Sequence, residues 1–478
     1  MTYRQPDYNA AEQKSNSETQ PILGWLAIIG LVLFSTVCII GGLGSIFRPA
    51  YVVLTFAVGI FLYLRYPLLY MGFNWWLWFV TPLISRLIDY RSSFDDSRFI
   101  LISTYLVTLI TLHTTIKELP KSYKQGGLPY ILAFIPIFYS FLVGLVKTQP
   151  FTAFRGLLDW LTPVSFGFYL FLKWRDYPQY RKNFQSVFLW GVLVVGIYGV
   201  VQYIIAPDWD RYWLISTKLT SMGQPEPFKI RVWSTMASPG PFSVMMTAGL
   251  ILLFSGKSPL IMPAAGGGYL AFLLCQVRTM WGCYVVSLLT LLTSLKPKLQ
   301  MRLFITILVM AICVVPLTTI EPFSGVIGTR LQSFTNLEDD DSAKVRQKIY
   351  EEGVNQALTN SLGNGIGNTF IVDEEGILRP IIIDSGILDT FFTLGWFGAI
   401  PYLIAIILLL ITVLQASEFI KFDPFMAASR SIAVGCVCGI PGFSIMLGYS
   451  GMLLWGFLSI SLAAHKYYQN ELLKQYQE

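Results

Sequence analysis

Hydrophobic residues in this chain run in long continuous blocks, separated by short polar connections, and do not alternate with polar ones. The blocks fall at about 22–43, 50–64, 67–85, 99–116, 129–146, 154–172, 185–205, 239–255, 259–275, 279–295, 303–319, 390–415, 430–447 and 450–465. About 20 apolar residues make a helix long enough to cross a bilayer. Continuous rather than alternating apolarity selects helices over barrel strands. The pattern predicts an all-α, polytopic integral membrane protein with about 12–14 transmembrane helices. The second and third blocks are the weakest, because Arg65-Tyr66-Pro67 separates two short runs, and one or two blocks can be merged or re-entrant.

One polar interval breaks the rhythm. Residues 321–394 form the longest polar stretch of the chain and run directly back into an apolar block. This divides the chain into a polar tail (1–20), helices (21–319), a long loop (320–389), further helices (390–466) and a second tail (467–478). The first tail lacks the short charged start of a secretory signal, so the first helix is expected to remain attached. No internal repeat stands out, which disfavours the common transporter architectures.

Composition agrees with the pattern. The 478 residues are 54% hydrophobic and 13% charged, where soluble domains carry about a quarter charged residues. Cysteines at 38, 275, 283, 313, 436 and 438 lie inside apolar runs with no C-x-x-C pair, so they read as packing residues. With two histidines, His113 and His465, a histidine-based metal centre is not expected, nor is any cofactor. Basic residues are scattered over short loops, which gives no nucleic-acid footprint. With the N-terminus inside, 18 of the 34 lysines and arginines fall in the inner connections and tails, against 11 in the outer short ones once five in the long loop are set aside. The positive-inside rule then puts both termini in the cytoplasm and the loops 206–238 and 320–389 outside.

Five arginines share that outer side: Arg231, Arg278, Arg330, Arg346 and Arg379. Arg278 is the most telling, set in Gln276-Val277-Arg278-Thr279-Met280-Trp281 between two apolar runs. A guanidinium there needs an anion, a carboxylate or interfacial water, and its planar fork suits phosphate. Arginines near span ends also snorkel to lipid headgroups, and that role stays open for each. Asp384 and Asp389 stand at the entrance to the block that begins near Phe391. Asp384 suits either a helix N-cap or a general base toward a sugar hydroxyl. The run Glu338-Asp339-Asp340-Asp341-Ser342 reads as a solvated helix start rather than a cation loop. In Gly363-Asn364-Gly365-Ile366-Gly367 no strand precedes and no βαβ partner follows, so the glycines serve a sharp turn back to the membrane, not a nucleotide.

In order and spacing, these motifs resemble the O-antigen ligase and O-antigen polymerase family of bacterial membrane glycosyltransferases. The matching pieces span about 150–415: Arg231 to Phe242; Val277-Arg278-Thr279-Met280-Trp281-Gly282; Arg346-Gln347-Lys348-Ile349-Tyr350; Ser361 to Asn368; and Asp384 to Gly398. The resemblance implies an inner-membrane enzyme that takes glycan from a polyprenyl-pyrophosphate-linked oligosaccharide on the outer face, without metal or nucleotide sugar. It implies Arg231, Arg278 and Arg346 at the pyrophosphate, with Arg330 as an addition and Asp389 beside the substrate. Membrane lipids, a flippase and a chain-length regulator are the candidate partners. One departure matters: where ligases of the family place a loop histidine, this chain has Asp384-Ser385. That favours a polymerase making O-antigen, exopolysaccharide or capsule, with Asp384 as base, over a ligase. A transporter or flippase of lipid-linked glycan is the rival from another class.

Overall fold

The computed structural model describes residues 21–297, 299–301, 303–305, 307–308, 354, 359–368, 370–372, 378–380 and 383–477. Arg330, Arg346, the acidic run 338–342 and most of the apolar block 303–319 lie outside the described residues. The described helices are, in chain order, α1 (Ile22–Ile40), α2 (Gly44–Arg65), α3 (Pro67–Arg91), α4 (Ile102–Leu109), α5 (Leu112–Ser122), α6 (Leu128–Lys147), α7 (Pro150–Leu172), α8 (Tyr177–Ile205), α9 (Asp208–Thr217), α10 (Pro239–Leu253), α11 (Ile261–Leu274), α12 (Arg278–Ser294), α13 (Gly386–Gln415), α14 (Pro424–Gly439) and α15 (Gly448–Gln477). A short antiparallel ribbon pairs β1 (Phe370–Val372) with β2 (Leu378–Pro380), with Ile371 opposite Arg379. The chain is an all-α polytopic membrane protein.

The span count needs refining. Among the described residues, α1, α2, α6, α8, α13 and α14 are long and apolar enough to cross a membrane, and α4 with α5 forms an apolar pair bent by 43°, a broken span or a re-entrant loop. Three more helices have the length without the hydropathy: α3 has 25 residues, α7 has 23 and α15 has 30. They carry Trp, Tyr, Asn and Pro, and they bury most of their faces inside the bundle. A helix enclosed by protein need not be apolar all round, whereas α1 and α6 turn isoleucine, leucine, valine and phenylalanine outward. Of the two short helices, α10 (15 residues) is buried almost throughout, whereas α11 (14 residues) buries one face. The region read as a terminal tail from 467 continues α15 as helix to Gln477.

Packing follows membrane rules, with small residues where helices cross. At the contact of α8 with α11, a Cβ on Gly196 would lie 2.8 Å from the backbone nitrogen of Gly268, so only glycine permits this approach. In the centre α7 packs on α15, Tyr130 hydroxyl meets Ser459 at 2.6 Å, and the Trp455 indole donates to Tyr402 at 3.2 Å.

Two buried polar knots fasten the ends of the bundle. At one end Asp423 caps α14 by accepting from the amides of Phe425 and Met426, and it also accepts from Tyr177 (2.6 Å), Tyr468 (2.9 Å) and Arg181 (3.4 Å). At the other, Arg86 of α3 and Asp210 of α9 pair at 2.7 Å with side chains 1% and 0% exposed. Arg86 also donates to the carbonyls of Ser234 and Met236 and lies over the rings of Trp213 and Trp233. Tyr198 and Gln202 of α8 donate to Asp210, while the Gln202 carbonyl accepts the amides of Trp233 and Ser234.

Removing one partner of a buried pair leaves an unpaired charge. Arg86→Met should therefore cost about 3–5 kcal/mol, read as a large fall in the unfolding temperature of the detergent-solubilised protein. Arg86→Met with Asp210→Leu should recover part of the loss. A wild-type melting temperature in the single variant would show that the pair does not hold this end.

Candidate functional site

At the Arg86 end, the turn over 440–448 is the meeting point of most motifs singled out in the sequence. A Cβ on Gly442 would lie 3.0 Å from the Thr279 side chain, next to Arg278 at the head of α12. Phe443 lies against Gly240, in the Pro239-Gly240-Pro241 opening of α10. Ser444 donates to Asp389 Oδ2 at 2.7 Å, and Met446 sulfur accepts from Thr390 at 3.7 Å. Gly448, with φ +50, sits against Asp159 and Tyr105.

On one side of this turn lie the sequence's arginines. Arg231 is committed to backbone: it donates to the carbonyls of Ser221 (2.8 Å), Cys275 (3.4 Å) and Gln276 (3.4 Å). The amide of Val232 donates to the Leu274 carbonyl at 3.2 Å. Together these bonds fix the 275–277 link, where Gln276 has φ +57, a left-handed conformation uncommon outside glycine. Arg231 is thus a positioning residue for Arg278, which is half-buried in the first turn of α12.

The carboxylates sit at the head of α13. The N-cap is Ser385, not Asp384: its hydroxyl accepts the Leu388 amide at 3.5 Å. Asp384 stands just before the cap, half-buried. Asp389 lies inside the helix, because α13 begins at Gly386, earlier than the apolar run implies. Its carboxylate accepts from Ser444 and, at 3.3 Å, from Thr393. Asp159 of α7 lies within electrostatic reach of Asp389 and accepts from Tyr105 at 2.5 Å.

The glycine segment completes the wall. Helix α13 is interrupted at Gly395, with φ 65 and ψ −176. The Phe392 and Thr393 carbonyls freed by the break accept the amides of Asn364 (2.9 Å) and Gly365 (3.0 Å), and the Trp396 amide donates to Ser361 (2.9 Å). The left-handed turns at Gly363, Gly365 and Gly367 are the sharp return that the sequence implied, and they lie against α6 and α7.

Further charges at this end were not singled out as a site. Arg155 of α7 donates to the Ser97 carbonyl at 3.0 Å, and Arg98 lies 5.1 Å from the Trp213 ring. Burial, and then Arg155 nearby, hold the Arg98 guanidinium below the usual arginine range. Burial alone would raise the Asp95 carboxyl. Hydrogen bonds from Ser97 and the Phe99 amide, with the Arg48 charge, outweigh it and hold Asp95 below the usual carboxylate range. In the sequence, Arg155 and Asp159 register only as charges near a span end. Their i, i+4 spacing, which puts both on one face of α7, is the signal that could have found them.

Gly448→Val would force a branched side chain into a left-handed position and against the Tyr105–Asp159 bond. A loss of about 1–3 kcal/mol is expected, measured by thermal unfolding. Tyr105→Phe in the same background should give back less than half of it, since the backbone strain remains; an unperturbed Gly448→Val variant would refute the tight approach.

No family model matches this chain, and no curated protein matches it either.

Proposed function

We propose that the chain is a glycosyltransferase of the bacterial inner membrane that polymerises polyprenyl-pyrophosphate-linked oligosaccharide repeats into O-antigen, exopolysaccharide or capsule. The observation that carries this reading is the packing of Thr279, the neighbour of Arg278, of Gly386 and Asp389 at the head of α13, and of the head of α10 against the 440–448 turn at one end of a membrane-crossing bundle. An arginine and a carboxylate held at the same end of the bundle are the pairing this chemistry needs. The acceptor hydroxyl attacks the anomeric carbon of the donor, and the bond from that carbon to the pyrophosphate oxygen breaks. Arg278 stabilises the negative charge that develops on the departing pyrophosphate. Asp384 or Asp389 takes the hydroxyl proton, and the carrier leaves as polyprenyl pyrophosphate. In this reading both termini face the cytoplasm and the 440–448 turn faces outward.

The ligase alternative has less support. Both histidines lie at the Asp423 end, His113 beside Lys117 in α5 and His465 beside Phe419, so neither stands near the carboxylates. A flippase for the same lipid-linked glycan has one observation in its favour, the break in α13 at Gly395, because discontinuous helices line the binding sites of many transporters.

Purified protein supplied with polyprenyl-pyrophosphate-linked repeats should yield a ladder of longer glycans and release carrier. Arg278→Ala should lower the rate by about 10²–10³-fold. Of Asp384→Asn and Asp389→Asn, the one that removes the base should lower it by about 10²–10⁴-fold, and the other far less. Full activity in both would eliminate the carboxylate base. No ladder, with the lipid-linked repeat crossing to the other leaflet of proteoliposomes, would establish the flippase.

A further inference from the structure

Arg98 and Arg155 come from different elements and converge on one point. Arg155 reaches from the first turns of α7 to the carbonyl of Ser97, the residue before Arg98. Arg98 has φ +49, a left-handed conformation that an arginine adopts at a cost. That turn lays its half-buried guanidinium against the face of Trp213. Trp213 is itself held by the Arg86–Asp210 knot, so the platform is rigid.

Among the described residues, neither arginine has an ion pair. The nearby acids bond to other groups: Asp89 to Arg48 (2.7 Å), Asp95 to Ser97 and the Phe99 amide, Asp210 to Arg86, and Asp159 to Tyr105 while remaining within electrostatic reach of Arg155. Asp96 is exposed and pairs with neither. Arg155 spends one of its donors on Ser97, and the Arg98 guanidinium donates to no described residue. Two guanidiniums side by side repel unless an anion lies between their donor forks, and the geometry of those forks matches phosphate oxygens.

We propose that Arg98 and Arg155 form a binding site for the phosphate of a membrane-embedded lipid ester, on the α7 side of the carboxylates and across the 440–448 turn from Arg278. The site stands on its own geometry and does not require the polymerase reading. Its phosphate can come from an anionic phospholipid headgroup or from a polyprenyl carrier, and the chemistry is shared.

The test uses the full chain in phosphatidylcholine nanodiscs, titrated separately with phosphatidylglycerol, polyprenyl phosphate and inorganic pyrophosphate. Arg98→Gln with Arg155→Gln should weaken binding by about tenfold or more for at least one probe. Arg91→Gln, an exposed arginine at the same end, should leave it unchanged. The Lys/Lys variant keeps both charges without the planar forks; it should bind with intermediate affinity, and it decides the question if the Gln/Gln variant does not fold. Loss confined to phosphatidylglycerol assigns the site to a bilayer headgroup. Loss confined to polyprenyl phosphate and pyrophosphate assigns it to the carrier. Equal affinity of wild type and the folded double variants for all three probes, or an equal loss in Arg91→Gln, overturns the site. Because binding is read without turnover, absence of a glycan ladder leaves this result standing or falling by itself.

Discussion

The ion pair of Arg86 with Asp210 holds the site end of the bundle in place. Two charges taken out of water persist only if their remaining hydrogen-bonding capacity is filled, and here the surrounding chain fills it. Arg86 takes the carbonyls of Ser234 and Met236, and Asp210 takes Tyr198 and Gln202. Those bonds fix the segment before α10 against α3. That segment carries Arg231, whose bonds to 275 and 276 set the left-handed link from which Arg278 emerges. A pair that touches no candidate substrate thus determines where the most telling arginine of the sequence stands.

The same demand for satisfied polar groups explains the break in α13. A helix interrupted within a membrane exposes carbonyls and amides that lipid cannot satisfy. Gly363, Gly365 and the residues around them supply the missing partners, and Ser140 of α6 adds a bond to the Thr393 carbonyl at 2.9 Å. The half-helix from Gly386 to Leu394 can then stand as a separate piece carrying Asp389, while the part beyond Gly395 crosses the membrane. The glycine segment is a structural seal, which fits its lack of any nucleotide-binding context.

The sequence made the helices legible because a lipid-facing span must be apolar, and apolarity is a local property. It also made the glycine turn legible, since positive φ is local too. The hydropathy of α3 and α7 was harder to read, because their Trp, Tyr and Asn face protein. Partnerships were not legible. Arg86 and Arg231 are each an arginine near a span end when read along the chain, yet one is buried in a saturated knot and the other is spent on carbonyls. Arg98 and Arg155 are separated by 57 positions and meet only because the loop before α4 folds over the start of α7. The sequence pointed to Asp384 as the cap, but which side chain reaches the Leu388 amide depends on the entry angle of the loop, and it is Ser385.

The resulting arrangement has a charge order that matters for any reaction at this end. Asp159 and Asp389 each accept from a neutral hydroxyl, and the Arg155 charge also acts on Asp159. Guanidiniums flank them, Arg278 beyond the 440–448 turn and Arg155 with Arg98 on the α7 side. A carboxylate bonded to tyrosine or serine keeps a basic oxygen, whereas one locked to arginine would hold its charge too firmly to accept a proton. Arg155 spends one donor on the Ser97 carbonyl and lies within electrostatic reach of Asp159. The fold gives three other carboxylates, Asp210, Asp89 and Asp423, to Arg86, Arg48 and Arg181, and leaves Asp159 and Asp389 bonded to hydroxyls. A carboxylate kept on hydroxyl donors in this way is what a site needs if it is to take a proton from an acceptor hydroxyl.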